Sequence, residues 1–313
     1  MKQSRTAAFG AHSTADDVLE GLDLDGKTVL VTGGSSGLGA ESAGALAARG
    51  AHVIVTARQP EKASALVESI RDRNGVEVRV EALELGSLAS VRATAERLSG
   101  VPFDALILNA GVMSCPAAWT EDGYEQQFAV NHLGHFLLTA RLAPQIRDGG
   151  RVVVVSSVGH QISPVVFDDI HFKQREYDRW AAYGQSKSAN ALFAVALQSR
   201  LAGRGIDVFA VHPGAIPTDL ERHLTADELA YLQAEVDSGK VFRKTVPQGA
   251  ATQVLAATAP ELSGTGGAYL VDCAPCPVDD EASSHQVVRS YALDPSKAER
   301  LWTVSEDMVG ETF

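Results

Sequence analysis

Short runs of β-branched and aliphatic residues alternate with longer stretches in which apolar residues recur every three to four positions. The strand-like runs cover 27–32, 52–57, 76–83, 104–109, 151–157, 206–212 and 268–272. Helical patterns are predicted between them over 37–49, 60–73, 87–99, 123–147 and 181–203, with a more broken helical region over 219–258. Several of the strand runs are apolar at nearly every residue, the pattern of strands buried on both faces. Their alternation with helices marks a parallel sheet with crossover helices.

No Pro/Gly/Ser-rich linker, shift of composition or internal repeat divides the chain, so residues 1–313 are expected to form one doubly wound α/β domain. Residues 1–25 precede the first strand as an N-terminal extension, and within it 14–21 (TADDVLEG) is expected to form a short capped helix. Residues 274–313 form a C-terminal extension in which Ala298, Leu301, Trp302, Met308 and Val309 fall on one helical face.

With 45% apolar and 21% charged residues in 313, the chain has the composition of a globular protein and not of a disordered one. The net charge of −12, without a dense basic run, makes nucleic acid and anionic membrane poor partners. Three cysteines, Cys115, Cys273 and Cys276, are too few for a disulfide framework and point to a reducing compartment. The N-terminal stretch lacks the apolar centre of a signal peptide and no run approaches the ~20 residues of a membrane helix. A cytoplasmic location without a membrane anchor is the expectation.

The first strand runs into TGGSSGLG, residues 32–39, and then an Ala-rich helix. Glycines at such a turn let the backbone approach a pyrophosphate closely, while the N–H groups and dipole of the helix N-terminus favour an anion, so this is a dinucleotide site. A carboxylate at the end of the second strand would accept from a ribose 2′-hydroxyl, whereas a guanidinium pairs with a 2′-phosphate. The sequence there is Ala57-Arg58, which favours NADP(H) over NAD(H).

These motifs, with LNAG at 108–111, Ser156-Ser157 at the end of the fifth strand, YGQSK at 183–187 and HPGAIPT at 212–218, resemble the short-chain dehydrogenase/reductase family over nearly the whole chain. TADDVLEG, VNHLGHFLLT (130–139), YGQSKSANALF and QGAAT (248–252) resemble its retinol dehydrogenase and WW-domain oxidoreductase branch, although no WW domain is present. The resemblance implies a single Rossmann domain with a seven-stranded parallel sheet in the order 3-2-1-4-5-6-7. It implies cofactor contacts from Thr32, Gly33, Ser35, Ser36, Gly37, Leu38, Gly39, Arg58, Glu84, Leu85, Asn109, Ala110, Gly111, Tyr183, Lys187, Pro213, Gly214, Ile216 and Thr218. Glu84 departs from the family, which usually has Asp facing adenine at that place.

Oxidising an alcohol requires a base beside the ring that takes the hydride. Tyrosine, with a pKa of ~10, is a poor base unless a neighbouring ammonium favours the phenolate. Tyr183 and Lys187 are four residues apart and share a helix face. By resemblance Tyr183 is the proton donor and acceptor, Lys187 also binds the nicotinamide ribose, and Ser157 holds the substrate oxygen. The resemblance selects Ser157 over Ser156, because the family's serine is the one at the very end of this strand, and strand alternation would point Ser156 to the other face. Asn131 completes a catalytic tetrad by helping to hold a water that connects Lys187 to solvent. Thr218 binds the nicotinamide carboxamide and Asn109 lines the adenosine side.

No metal is expected. His132 and His135 lack further ligands nearby, and CAPC (273–276) follows the last strand instead of opening a helix as a redox dithiol does. Phe167, Phe172, Tyr177 and Trp180 are candidate walls of a substrate pocket, and 219–246 is a candidate apolar lid, pointing to a bulky apolar alcohol or carbonyl. The alternative to an enzyme is a scaffold that binds NADP(H) without turnover. The family further suggests a homodimer or homotetramer built on the helices near 123–147 and 181–203.

Overall fold

The computed structural model describes residues 8–313. In chain order its elements are α1 (Ala15–Leu19), β1 (Thr28–Val31), α2 (Gly37–Ala47), β2 (His52–Ala57), α3 (Ser64–Asn74), β3 (Arg79–Ala82), α4 (Leu88–Arg97), β4 (Phe103–Leu108), α5 (Gln126–Phe128), α6 (Gly134–Leu142) and β5 (Ile146–Val155). There follow α7 (Arg179–Leu201), β6 (Asp207–His212), α8 (Ala226–Asp237), α9 (Val246–Thr258), β7 (Tyr269–Val271), β8 (Ala274–Pro275) and α10 (Pro295–Val309).

The sheet order is β3-β2-β1-β4-β5-β6-β7-β8, with β1 to β7 parallel. Strand alternation divides the apolar runs between two cores. Leu30, Leu106, Val152 and Val208 are register partners across four strands and face one layer, containing α4, α6, α7 and α10. Val29, Val31, Ile107, Val153 and Phe209 face the other, formed by α1, α2 and α9. Fully burying each such side chain contributes roughly 1.5–3 kcal/mol, which is why these strands contain no polar alternation.

The sheet has eight strands and not the expected seven. β8 folds back antiparallel on β7 through Asp272 and Cys273, which take φ of 50° and 63°. This two-residue hairpin has the left-handed central residues that match sheet twist, but it lacks the Gly or Asn that would advertise it, and its second strand is too short to show a period. It also defines the CAPC pair. Cys273 is buried, its amide donating to Thr252 Oγ1 at 3.2 Å, and burial pushes the Cys273 and Cys276 thiols up to about 11. Neither is the low-pKa thiolate of redox chemistry.

The helix expected over 123–147 is shorter and interrupted. After α5 the chain makes a π turn, Ala129–Leu133, before α6, and β5 already begins at Ile146. The π turn swings Asn131 out of the i to i−4 ladder. The first half of β5, IRDGG, is mostly exposed, which hid it from a reading based on apolar period. Of the N-terminal extension, residues 1–7 lie outside the described residues, and 14–19 form the expected capped helix, with a Thr14/Asp17 capping box. The C-terminal helix α10 packs on α6 and α7. Trp302 stacks on Phe193 with centroids 6.1 Å apart and meets Phe136 edge-on at 4.9 Å. The helix surfaces expected to carry an oligomer interface are thus covered in part by the chain's own C-terminus.

Candidate functional site

The C-terminal ends of the strands open into a cleft at the point where the crossovers from β1 and β4 leave in opposite directions, the place where doubly wound sheets bind ligands. Its floor is set by Thr32. The Thr32 hydroxyl accepts the backbone N–H of Asn109 at 2.9 Å and of Ala110 at 3.0 Å, so its own proton goes to Nε2 of His135 at 2.8 Å. His135 therefore carries its proton on Nδ1 and donates it to the Asn131 carbonyl at 3.0 Å. Burial lowers its pKa to about 4 and keeps the ring neutral. Asn109 Nδ2 returns a bond to the Thr32 carbonyl at 2.9 Å, latching β1 to β4.

The turn that follows has no room for a side chain at Gly33 or Gly39. A Cβ on Gly39 would lie 2.3 Å from the Gly33 carbonyl oxygen, and one on Gly33, where φ is +66°, would lie 2.9 Å from Ala110. Ser36 caps α2 without a side-chain hydrogen bond, and Ser35, Ser36, Gly37 and Leu38 line the cleft, so the helix opens its N-terminus into it. Past β2, Arg58, Gln59 and Lys62 form one rim, and among the described residues neither Arg58 nor Lys62 has an ion-pair partner. The Glu84 carboxylate accepts the Gly86 amide at 3.0 Å and lines the cleft with Leu85.

At the other end stand the polar side chains expected to do chemistry. Ser157 lies at the end of β5 on the cleft, its Oγ accepting the Gly159 amide at 3.1 Å, while Ser156 is buried and donates to the Lys187 carbonyl at 2.8 Å. Tyr183 and Lys187, both on α7, reach the same wall. Gly159 must be glycine because the Tyr183 ring would lie 2.6 Å from a Cβ there. Lys187 Nζ donates to the Val155 carbonyl at 3.0 Å and lies 5.8 Å from the Tyr183 ring centre. Burial raises the Tyr183 pKa to about 12 against a hydrogen bond with Ser157, and lowers that of Lys187 to about 8. Burial and the Ser157 bond are the causes of the Tyr183 shift, and Lys187 is not among them.

Asn131 lies behind this wall, not on it. Its Oδ1 accepts the Val112 amide at 2.8 Å and its Nδ2 donates to the Val112 carbonyl and to Ser186 Oγ at 2.9 and 2.8 Å. Thr32 and Gly39 are likewise buried behind the lining.

The segment after β6 closes the cleft from above. Pro213, Gly214, Ile216 and Thr218 line it, and Thr218 lies over the glycine turn, its Cγ2 3.6 Å from where a Gly37 Cβ would be. His212, its pKa lowered to about 3 by burial, accepts the Val158 and Gly214 amides through Nδ1 at 3.2 and 3.4 Å. One neutral ring thus ties the Ser157 turn to the closing segment. Beside it the buried ammonium of Lys244 pairs with Asp272 at 2.6 Å. Beyond lies α8, anchored by Glu228, which receives Arg179 at 2.6 Å and Trp180 Nε1 at 2.7 Å. Leu224, Tyr231, Leu232 and Phe242 face the cleft from this side.

Of the four aromatics expected to wall a pocket, only Trp180 does so. Tyr177 turns away to Cys115, Glu125 and Gln127, Phe172 is buried beside it, and Phe167 packs against the core under Arg300. His132 is bonded to Ser305 at 2.8 Å, and among the described residues no three His, Cys, Asp or Glu side chains could hold a metal ion. Sequence reasoning missed His212, Lys244 with Asp272, and the Glu228 anchor, because isolated charged residues and a histidine before Pro-Gly carry no spacing signal. His135 had one available, standing one helical turn after Asn131.

A model of the family described as short chain dehydrogenase matches residues 27–229. A probable oxidoreductase of Streptomyces lividans is 43% identical over 294 residues, covering 91% of this chain and 98% of that protein. Retinol dehydrogenase 14 of Homo sapiens is 40% identical over 305 residues, covering 92% of this chain and 87% of its own. Among solved structures, a short chain dehydrogenase from Burkholderia cenocepacia in complex with NADP is 27% identical, with a TM-score of 0.62 over 80% of this chain and 97% of that one.

Proposed function

The chain belongs to the short-chain dehydrogenase family, in its retinol dehydrogenase-like branch, and is an oxidoreductase of the nicotinamide-dependent kind; from this we propose that it interconverts an alcohol and a carbonyl on a bulky apolar substrate, with NADP(H) preferred to NAD(H). The observation that carries the reading is the convergence of Ser157, Tyr183 and Lys187 on one wall of a cleft whose other end is the glycine turn.

The residues present fit the cofactor. The close approach of Gly33 and Gly39 and the open N-terminus of α2 suit a pyrophosphate. Arg58 and Lys62, without carboxylate partners among the described residues, suit a 2′-phosphate, and Thr218 on the closing segment is the residue that would hold the carboxamide. When bound, the nicotinamide supplies or takes up the hydride. The chain's part is the oxygen and its proton. Ser157 Oγ accepts from Gly159, and its own hydroxyl proton is the one that would be donated to the substrate oxygen. Tyr183, held protonated by burial, donates its proton to that oxygen in reduction and takes it back in oxidation. Lys187 holds the nicotinamide ribose and returns the proton toward solvent. The apolar faces of Leu224, Leu232 and Trp180 favour a large hydrocarbon body. The cytoplasmic setting and a homo-oligomeric state belong to this reading on family resemblance and cysteine count.

The test is oxidation of NADPH and of NADH against retinoid, steroid, aromatic and aliphatic carbonyls, with Tyr183→Phe and Ser157→Ala as controls. Turnover that favours NADPH and large carbonyls and is lost in both variants is the expected result. Tight NADPH binding with no turnover across the panel supports a scaffold instead.

A further inference from the structure

The carbonyl oxygen of Ser157 accepts two side-chain hydrogen bonds that take no part in the chemistry proposed above. One comes from the Tyr269 hydroxyl at 3.1 Å and the other from Nδ1 of His160 at 2.7 Å. The tautomer of His160 follows from its second partner. Its Nε2 lies 3.1 Å from the Arg289 amide, which can only donate, so Nε2 accepts and the proton sits on Nδ1, facing Ser157.

His160 is itself held from the C-terminal extension. Its carbonyl accepts the Tyr291 hydroxyl at 2.6 Å and the Ser188 hydroxyl at 3.1 Å. The next residue, Gln161, donates to the carbonyls of Ser284 and Val287 at 2.9 and 3.0 Å, and Arg289 reaches its Oε1 at 3.3 Å. Every one of these partners except Ser188 lies between β8 and α10. That stretch is braced in turn, by a bridge between Val278 and Val288 and by Asp280 accepting the Ser290 amide and hydroxyl at 2.8 and 2.6 Å.

We propose that residues 284–291 form a positioning strap for Ser157, with His160 as the positioning residue that transmits the strap's location to the serine. The proposal rests on the reading of Ser157 as the group that holds the substrate oxygen. The same carbonyl also accepts the His160 backbone amide at 3.0 Å, and a peptide held by three donors cannot rotate without losing them, so the strap, acting through His160 together with Tyr269 of β7, holds the turn that carries Ser157. The same turn lies against Tyr183, because the ring packs where a Gly159 Cβ would be. A shift of the turn therefore moves both groups at once, and a misplacement of about 1 Å is enough to cost about 100-fold in rate.

Three variants separate the links. In His160→Asn the amide nitrogen stands near Nδ1 and keeps the bond to Ser157, in His160→Gln the side chain reaches Arg289 but not Ser157, and Tyr291→Phe removes a single hydroxyl from the strap. Each is measured for kcat and KM with NADPH and the best carbonyl of the panel, for NADPH affinity, and for amide exchange across 157–163. His160→Gln and Tyr291→Phe are expected to lower kcat about tenfold or more, with KM and NADPH affinity within about threefold and exchange across 157–163 about tenfold faster. His160→Asn recovers most of kcat, and Tyr291→Phe adds little to His160→Gln. Unchanged exchange in both variants overturns the strap whether or not any carbonyl is reduced, and faster exchange with unchanged kcat overturns its role in positioning. If Ser157→Ala keeps full turnover, the reading of Ser157 fails instead, and exchange still decides whether the strap holds the turn.

Discussion

The ammonium nitrogen of Lys187 lies 5.8 Å from the centre of the Tyr183 ring, and burial moves the two pKa values toward neutrality of both groups, the phenol up to about 12 and the ammonium down to about 8. If the charge on Lys187 is needed for cofactor binding, kcat/KM for NADPH, which reports groups of the free protein, falls about tenfold per pH unit above about 8. Tyr183 contributes no limb below pH 10. The sign for stability is opposite. The folded-state pKa of Lys187 lies below its ordinary 10.5, so between about 8 and 10.5 the unfolded chain binds more protons and stability from this group rises with pH. Lys187→Met should therefore abolish turnover while raising the melting temperature at pH 7, which a thermal scan beside the rate assay measures.

Two glycines of one helix make opposite predictions. A Cβ on Gly39 would strike the Gly33 carbonyl at 2.3 Å, whereas one on Gly44, in the middle of α2, meets nothing within 4 Å. Gly44→Ala is expected to stabilise the protein by about 0.5–1 kcal/mol, by removing backbone freedom from the unfolded chain. Gly39→Ala is expected to weaken NADPH binding by about 100-fold or more, since the backbone must open where the pyrophosphate would rest. Titration of NADPH fluorescence and a denaturant melt check both.

Arg58 stands exposed on the cleft rim, without a carboxylate partner among the described residues. A guanidinium to phosphate pair contributes on the order of 1.5–3 kcal/mol. Arg58→Ala should accordingly weaken NADPH by roughly 10-fold to 100-fold and leave NADH nearly unchanged. Equal losses for the two would show that Arg58 does not read the 2′-phosphate.

The parallel sheet was legible because burial on both faces writes itself into the strands as unbroken aliphatic runs, as in Val152 to Val155. The glycine turn and the Tyr183/Lys187 pair were legible because their physical demands fix residue type and spacing over a few positions. The hairpin at Asp272 and Cys273 was hidden, since left-handed backbone there is imposed by packing and not by glycine. The π turn at Asn131 was hidden for a related reason: it is stabilised by Val112 and Ser186, which lie 19 residues before it and 55 after. Phe172 and Tyr177 misled because aromatic residues near a site need not face it. Their direction depends on Glu125 and Gln127, which contact Tyr177 from a distant stretch of chain.

The same long-range dependence governs the wall formed by α8. Glu228 closes the capping box with Thr225 and receives Arg179 and Trp180 at 2.6 and 2.7 Å, so one carboxylate fixes the helix start and ties it to the first turn of α7. Those bonds hold the carboxyl down to a pKa of about 2, well below its ordinary 4.5. Glu228→Gln keeps the shape and loses the charge. Without the charge-assisted bonds α8 should dock less firmly, and the faces of Leu224, Leu232 and Trp180 would no longer meet a large substrate at fixed separation. KM for the largest carbonyl accepted is expected to rise about tenfold, while KM for a small aldehyde and the affinity for NADPH stay within about twofold, because neither reaches α8. A uniform loss across all three would place Glu228 in the folding of α7 and not in the recognition of substrate.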